Sequence, residues 1–346
     1  SQHVKRMKSV CYEQLDEWIR NTIDSEQGEP FDVFREMTKL TLRIISRAAF
    51  EYDVTDSQID MFITETDIFL REVLYMQRVF PWRKWCKNVI PSVRRGYQAS
   101  SNVADFAKEV LASYRGKVKL GVESSEDTLI KILENSNAFK AEHEKISEIA
   151  AFFVAGFEST GHTIAWTLIE LAKNPDVVEE YRRQIKGLPN ANEWANSDCL
   201  RRIVREGLRL HPAVIVGSTR TVGKDIHTKS SKKPGSDSSP GFIIPKGAMV
   251  WMPYLPMFRS PDHYSDPDKF DPSRWIDPSK GAEDALMPFS VGRRNCVGQS
   301  LANAEIHAVV ARLAAEYNFE IKKEGDVNAD CLTLNKKGTW LLAKKT

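Results

Sequence analysis

The stretch Phe289-Ser-Val-Gly292-Arg293-Arg294-Asn-Cys296-Val-Gly298 sets one cysteine between two glycines and beside two arginines, just before a helical pattern that starts near Gln299. Glycine allows the tight turn in which backbone N–H groups can point at sulfur. A helix N-terminus adds positive potential and the arginines add charge, each favouring thiolate over thiol. A thiolate so stabilised serves as a nucleophile or as a metal ligand. A nucleophile needs a base, and the nearest histidine in sequence, His307, lies a helix away. A lone thiolate with cationic neighbours suits haem iron, with an arginine left over to neutralise a propionate. A buried structural cysteine in a Gly-containing loop accounts for the local chemistry equally well.

Two other constellations stand out. Ala155-Gly156-Phe157-Glu158-Ser159-Thr160-Gly161-His162 lies inside an apolar helical pattern. Each interior glycine costs roughly 1 kcal/mol relative to alanine, and Ser159 and Thr160 can bond the carbonyls of residues 155 and 156, which bends a helix. Glu158 interrupts the apolar face. These costs mark either a functional notch or close helix packing against Gly156. Glu206 and Arg209, three apart in Arg-Glu-Gly-Leu-Arg-Leu-His-Pro, share one helix face. Alone they read as an ordinary surface pair contributing roughly a fraction of a kcal/mol.

The cysteine segment resembles the haem-binding signature of the cytochrome P450 family, F-x-x-G-x-R-x-C-x-G, filled by Phe289, Gly292, Arg294, Cys296 and Gly298. The resemblance implies Cys296 as the axial ligand of haem b (iron protoporphyrin IX) and Arg294 as a propionate partner. Glu206 and Arg209 resemble the family's E-x-x-R, and Phe270-Asp-Pro272-Ser-Arg274-Trp275 is similar to F-x-P-E-R-F, with Ser273 and Trp275 replacing the usual Glu and Phe. Glu206, Arg209 and Arg274 are thereby expected to form a buried triad, with backbone carbonyls as further acceptors, that holds the coil behind the haem. The notch resembles the oxygen-binding A-G-x-[DE]-T-T. This implies Ala155 and Gly156 against the haem, with Glu158, Ser159 and Thr160 as catalytic groups. Ser159 stands where the family has its threonine; it keeps the hydroxyl and loses the methyl that locks the rotamer. His162 is expected to be packed or on the surface rather than an iron ligand. Arg220 matches a second propionate arginine, or is a surface arginine, and Val214, Ile215 and Val216 would line the distal pocket or belong to strand core.

The elements that must position these groups are mainly helical. Apolar periodicity predicts helices over 31–50, 55–79, 93–119, 176–186, 199–210 and 299–316, and one unbroken helix over 146–173, about 42 Å long. Short strands are predicted over 214–222, 242–251, 319–323 and 332–344. Between the first two, residues 224–241 (KDIHTKSSKKPGSDSSPG) read as a flexible surface loop. Residues 253–295 form a long Pro-rich coil, a length that is usually functional. Met61, Phe62, Phe69, Leu70, Tyr75 and Phe80 read as substrate wall or as a core stripe.

Composition bounds the rest. Across 346 residues, 49 Lys and Arg oppose 47 Asp and Glu for a net charge of +2, which argues against a nucleic-acid partner. Five separated cysteines without a CxxC argue against a disulfide scaffold. The resemblance implies a mainly α fold with small β-sheets, a single partial haem-thiolate domain over 1–346, truncated at its N-terminus. It also implies a monooxygenase that inserts one atom of O2 into an apolar small-molecule or lipid substrate. The chain has no flavin or iron–sulfur signature, so an NADPH-dependent reductase is expected as electron donor, docking near Arg293. The motif style is similar to the eukaryotic membrane-bound branch, implying the cytosolic face of the endoplasmic reticulum membrane with the anchor outside this chain. A haem-thiolate isomerase or dehydratase of oxygenated lipids, or a non-catalytic haem-binding remnant, are the alternatives.

Overall fold

A computed structural model describes residues 2–24, 28–122, 128–228, 241–328 and 333–346. The principal helices are α1 (Gln2–Trp18), α2 (Val33–Phe50), α3 (Asp56–Phe69), α4 (Pro91–Lys119), α5 (Glu142–Gly156), α6 (Glu158–Lys173), α7 (Pro175–Ile185), α8 (Asp198–Leu210) and α9 (Gln299–Glu316). Local chemistry sets their ends. The Asp32 carboxylate accepts from the N–H groups of Phe34 and Arg35 to start α2, and Thr55 with Gln58 forms a capping box for α3. Ser197 caps α8 through the Leu200 N–H.

The strands are few and antiparallel. They are β1 (Phe31–Asp32), β2 (Ser218–Thr221), β3 (Ile226–His227), β4 (Ile243–Ile244), β5 (Met249–Met252), β6 (Tyr317–Lys323) and β7 (Trp340–Lys345). They pair as β1-β7-β6, β2-β5 and β3-β4, with Phe31 opposite Leu341 and Arg220 opposite Val250. The fold is mainly helical with small sheets, and the sheets lie beside the helices rather than within them.

Two apolar clusters fill the interior. One joins α1, α2, α6, α8 and α9 around residues such as Leu15, Phe34, Trp166 and Val309; the other joins α2, α3, α4 and α5 around Phe50, Phe62, Phe106 and Phe153. Phe62 and Leu70 are therefore core residues, whereas Phe80 is exposed. The side chain of Tyr75 is outside the described residues.

Several expectations need correction. The helix predicted as continuous over 146–173 is two helices, α5 and α6, that meet at Phe157. Gly156 supplies weak helix propensity there, and Ser159 Oγ donates to the Ala155 carbonyl at 2.8 Å, the local back-bond that bends helices. From outside, the Thr41 hydroxyl of α2 donates to the Phe157 carbonyl at 2.7 Å. Both glycines also serve packing. A Cβ on Gly161 would stand 2.9 Å from Thr38 Cα, and one on Gly156 would stand 2.4 Å from Ile45 Cδ1. The helix expected over 55–79 ends as an α-helix at Phe69 and continues as a π-helix, Leu70–Met76. The strand expected over 214–222 is confined to β2, and that over 242–251 splits into β4 and β5 around the Gly247 turn (φ +85°). Of the loop expected at 224–241, residues 229–240 lie outside the described residues, and Ile226–His227 is a strand.

Candidate haem-thiolate centre

The cysteine loop closes on itself. The Cys296 N–H donates to the Phe289 carbonyl at 2.8 Å, and the Asn295 N–H donates to the Gly292 carbonyl at 3.1 Å. Gly292 has φ +80°, a left-handed conformation that glycine adopts without a Cβ penalty, and Ser290 is held at φ 60°. Arg220 Nη2 of β2 donates to Ser290 Oγ at 3.3 Å, so the second expected arginine lies against this loop. Phe289 and Ala302 pack on the first apolar cluster and Leu301 on the second, so the loop and the start of α9 bridge both halves of the core.

The cysteine itself is exposed, together with Arg293, Arg294, Val291 and Val297. The turn does not aim N–H groups at sulfur, as the glycines suggested. Among the described residues no backbone N–H reaches Sγ, and the Gln299 N–H donates instead to the Cys296 carbonyl at 3.4 Å. Gly298 has an ordinary φ of −85°; its contribution is room, since a Cβ there would lie 3.9 Å from Cys296 Sγ.

The donor set fits haem. Among the described residues no group of three or more His, Cys, Asp or Glu could hold a bare metal ion, so iron bound at Cys296 must draw its remaining donors from a ligand such as a porphyrin. Apolar Val291 and Val297 suit the ring of such a ligand, and the guanidinium groups of Arg220, Arg293 and Arg294 suit its carboxylates.

Behind the loop, Glu206 is fully buried and fully engaged. Arg209 Nε and Nη2 grip its two oxygens at 2.9 Å each, and Arg274 Nε donates to Oε1 at 2.8 Å. The Asp271 N–H donates to Oε1 at 3.0 Å, and Trp275 Nε1 donates to Oε2 at 2.9 Å. The remaining guanidinium donors reach backbone carbonyls of the coil: Phe258, Pro267 and Lys269 from Arg209, and Ser265, Asp266 and Lys269 from Arg274. One carboxylate thus ties α8 to the coil from residue 258 to 275. Reading the sequence missed Trp275 as a donor, although a buried indole N–H signals a partner. Ser273, in place of the usual Glu, hydrogen-bonds to Asp271 at 2.5 Å instead of joining the cluster.

The break between α5 and α6 distributes its groups over two sides. Ala155 is exposed and Ser159 half-buried on one side; Glu158, Thr160 and His162 are buried on the other. Thr160 was expected beside Ser159 as a catalytic hydroxyl, but neighbouring helical positions diverge by about 100° and its side chain turns into the core. Gly156 is half-buried between the two sides. Burial, with Asp67 acting in the same direction, pushes the Glu158 carboxyl up to about 7 against the pull of Lys337 and Thr333. His162 is inside the protein, edge-on to the Phe34 ring at 5.2 Å, and burial lowers its pKa to about 3. Val214 and Ile215 are half-buried and Val216 is exposed.

The family model for cytochrome P450 matches residues 2–342. The chain belongs to the cytochrome P450 family. Among curated P450 proteins it is 29% identical to a cytokinin hydroxylase of Arabidopsis thaliana over 90% of this chain and 60% of that protein. It is 30% identical to an iridoid oxidase of Catharanthus roseus over 72% of this chain and 50% of that protein. The chain thus spans roughly half to two-thirds of the length of these curated relatives. In fold it is similar to the crystal structure of the cytochrome P450DA heme domain, with a TM-score of 0.73 at 20% identity, over 99% of this chain and 73% of that one.

Proposed function

We propose that this P450 chain is the catalytic part of a haem-thiolate monooxygenase that inserts one atom of O2 into an apolar organic substrate. The observation that carries the reading is the Cys296 loop, which offers one exposed thiol amid apolar and cationic side chains on a base locked by Glu206. Haem b bound through Cys296 would supply the oxygen-activating chemistry, its thiolate favouring O–O cleavage. The chain's own residues would bind, brace and move protons. Arg220, Arg293 and Arg294 are the groups available to the haem carboxylates. Ser159 is the hydroxyl of the notch left on the open side, and Glu158 stores a proton on the closed side. Glu206, Arg209 and Arg274 keep the coil that backs the loop in one conformation. Residues 1–346 act in this reading as a single haem domain, and the stretch 224–241 as a surface loop.

Electrons would come from an NADPH-dependent reductase docking near Arg293, at the cytosolic face of the endoplasmic reticulum membrane. No described helix is long and apolar enough to cross a membrane. The rate of reduction by such a partner should fall with ionic strength, and a salt-independent rate would remove this docking face. The central test is the spectrum of the reduced, haem-supplied protein with carbon monoxide. A thiolate-type Soret band that Cys296→Ala abolishes supports the reading; well-folded protein that takes up no haem overturns it. Oxygen and reduced nicotinamide consumed with a reductase present then separate a monooxygenase from a peroxide-driven isomerase or a silent haem binder.

A further inference from the structure

Both ring nitrogens of His162 are buried and without a hydrogen-bond partner, in a side chain 0% exposed. A neutral imidazole carries one donor and one acceptor, and leaving both unmet in the interior is costly. The polar group facing Nε2 is Glu158 Oε1 at 3.8 Å, one helical turn back. Closing that gap by roughly 1 Å makes a hydrogen bond. Glu158 can move by this much, because it is the first residue of α6, directly after the break at Phe157. The groups around the pair are few. Phe34 of α2 gives only its ring, Asp67 comes from α3, and Thr333 and Lys337 come from the turn before β7. Lys337 Nζ is 2.7 Å from Asp67 Oδ2 and 3.8 Å from Glu158 Oε1, with its own side chain 44% exposed.

We infer that Glu158 and His162 hold one exchangeable proton between them as a buried pair, and that the Lys337–Asp67 ion pair is the outer contact through which that proton exchanges with solvent. The proton passes between Oε1 and Nε2, and no other bond changes. His162 is a positioning residue: it gives Glu158 a partner on the closed side of the break, away from Ser159. The importance of the pair for catalysis rests on the monooxygenase reading above; its existence does not.

The test uses the full chain supplied with haem. In the infrared, a protonated carboxyl band that disappears in Glu158→Gln reports Glu158, and ring-nitrogen signals of labelled histidine report His162. The expected result is that both titrate with one midpoint near 7. In His162→Phe the carboxylate loses its N–H donor, and the midpoint rises by about one pH unit or more. His162→Gln, which keeps a donor, stays within about half a unit of the native midpoint. Lys337→Met raises the midpoint and Asp67→Asn lowers it. A His162 signal that stays constant while Glu158 titrates, or an unchanged midpoint in His162→Phe, overturns the pair. If His162→Phe does not fold, the nitrogen signal of the native protein decides. An unchanged midpoint in Lys337→Met overturns the outer contact. Coupled titration in a protein that never consumes oxygen would remove the monooxygenase reading and keep the pair.

Discussion

Glu206 and Glu158 are both buried glutamates on helices that flank the candidate centre, and their surroundings are opposite. Glu206 receives five donors on two oxygens, and the cations that surround it are themselves satisfied by backbone carbonyls. Glu158 has His162 and Lys337 at 3.8 Å, beyond hydrogen-bond length, and burial dominates its pKa. A buried charge with all its partners is rigid and specifies one conformation; a buried acid with few partners titrates near neutrality. The first fits an architectural part, the second a group that gives and takes protons. Glu305 of α9, fully buried with its carboxyl pushed well up by burial alone, shows that burial by itself is enough to keep an acid protonated.

The contrast can be tested from its largest consequence downward. Glu206→Ala leaves Arg209 and Arg274 as uncompensated cations, a loss of about 3–5 kcal/mol for a broken buried pair. The expected outcome is little folded protein and no haem uptake, read from thermal melts and haem content. A variant that purified with full haem would refute the architectural role.

Glu158→Gln should act through pH. The folded pKa of Glu158 is raised to about 7, so its protonated form stabilises the fold below the unfolded value near 4.3, and that contribution disappears as pH rises through 7. The full span corresponds to about 3 kcal/mol. Denaturant titrations between pH 4 and pH 8 should show native stability falling with pH relative to Glu158→Gln; parallel curves would place Glu158 in a wetter site.

Trp275→Phe restores the family's usual ring and deletes one donor to Glu206 Oε2. The expected loss is about 1–3 kcal/mol, as a lower denaturant midpoint with an unchanged slope. No loss would mean that the other four donors suffice. The smallest effect on stability belongs to Cys296→Ala. With the thiol exposed, the apoprotein should change by less than about 0.5 kcal/mol, while the thiolate spectrum is abolished. A large loss of stability in the apoprotein would show that the loop depends on sulfur for its shape.

Much of the centre is legible in the sequence because its motifs are local. Cys296, its glycines and Arg294 lie within ten residues, and a turn plus a helix start is enough to present them. Glu206 and Arg209 sit on one turn of α8. Helix existence was readable from periodicity for α2, α4, α8 and α9, where amphipathic patterns and caps agree. The break at Phe157 was not readable, since the apolar pattern runs straight through it; part of its cause, the Thr41 hydroxyl, lies 116 residues away.

What the sequence determined by itself is the inventory: a haem-thiolate loop, an acid–hydroxyl notch, a charged pair and a mainly helical frame, each encoded by spacing along the chain. Only the tertiary structure decided which groups share an environment. It joined Arg274 and Trp275 to Glu206 across nearly seventy residues, turned Thr160 and His162 inward while leaving Ser159 on the open side, and brought Lys337 to Glu158. The reason is physical: hydrogen bonding and the pKa of a buried acid depend on which side chains meet in three dimensions and on how much water is excluded, and neither is a property of neighbouring positions along the chain.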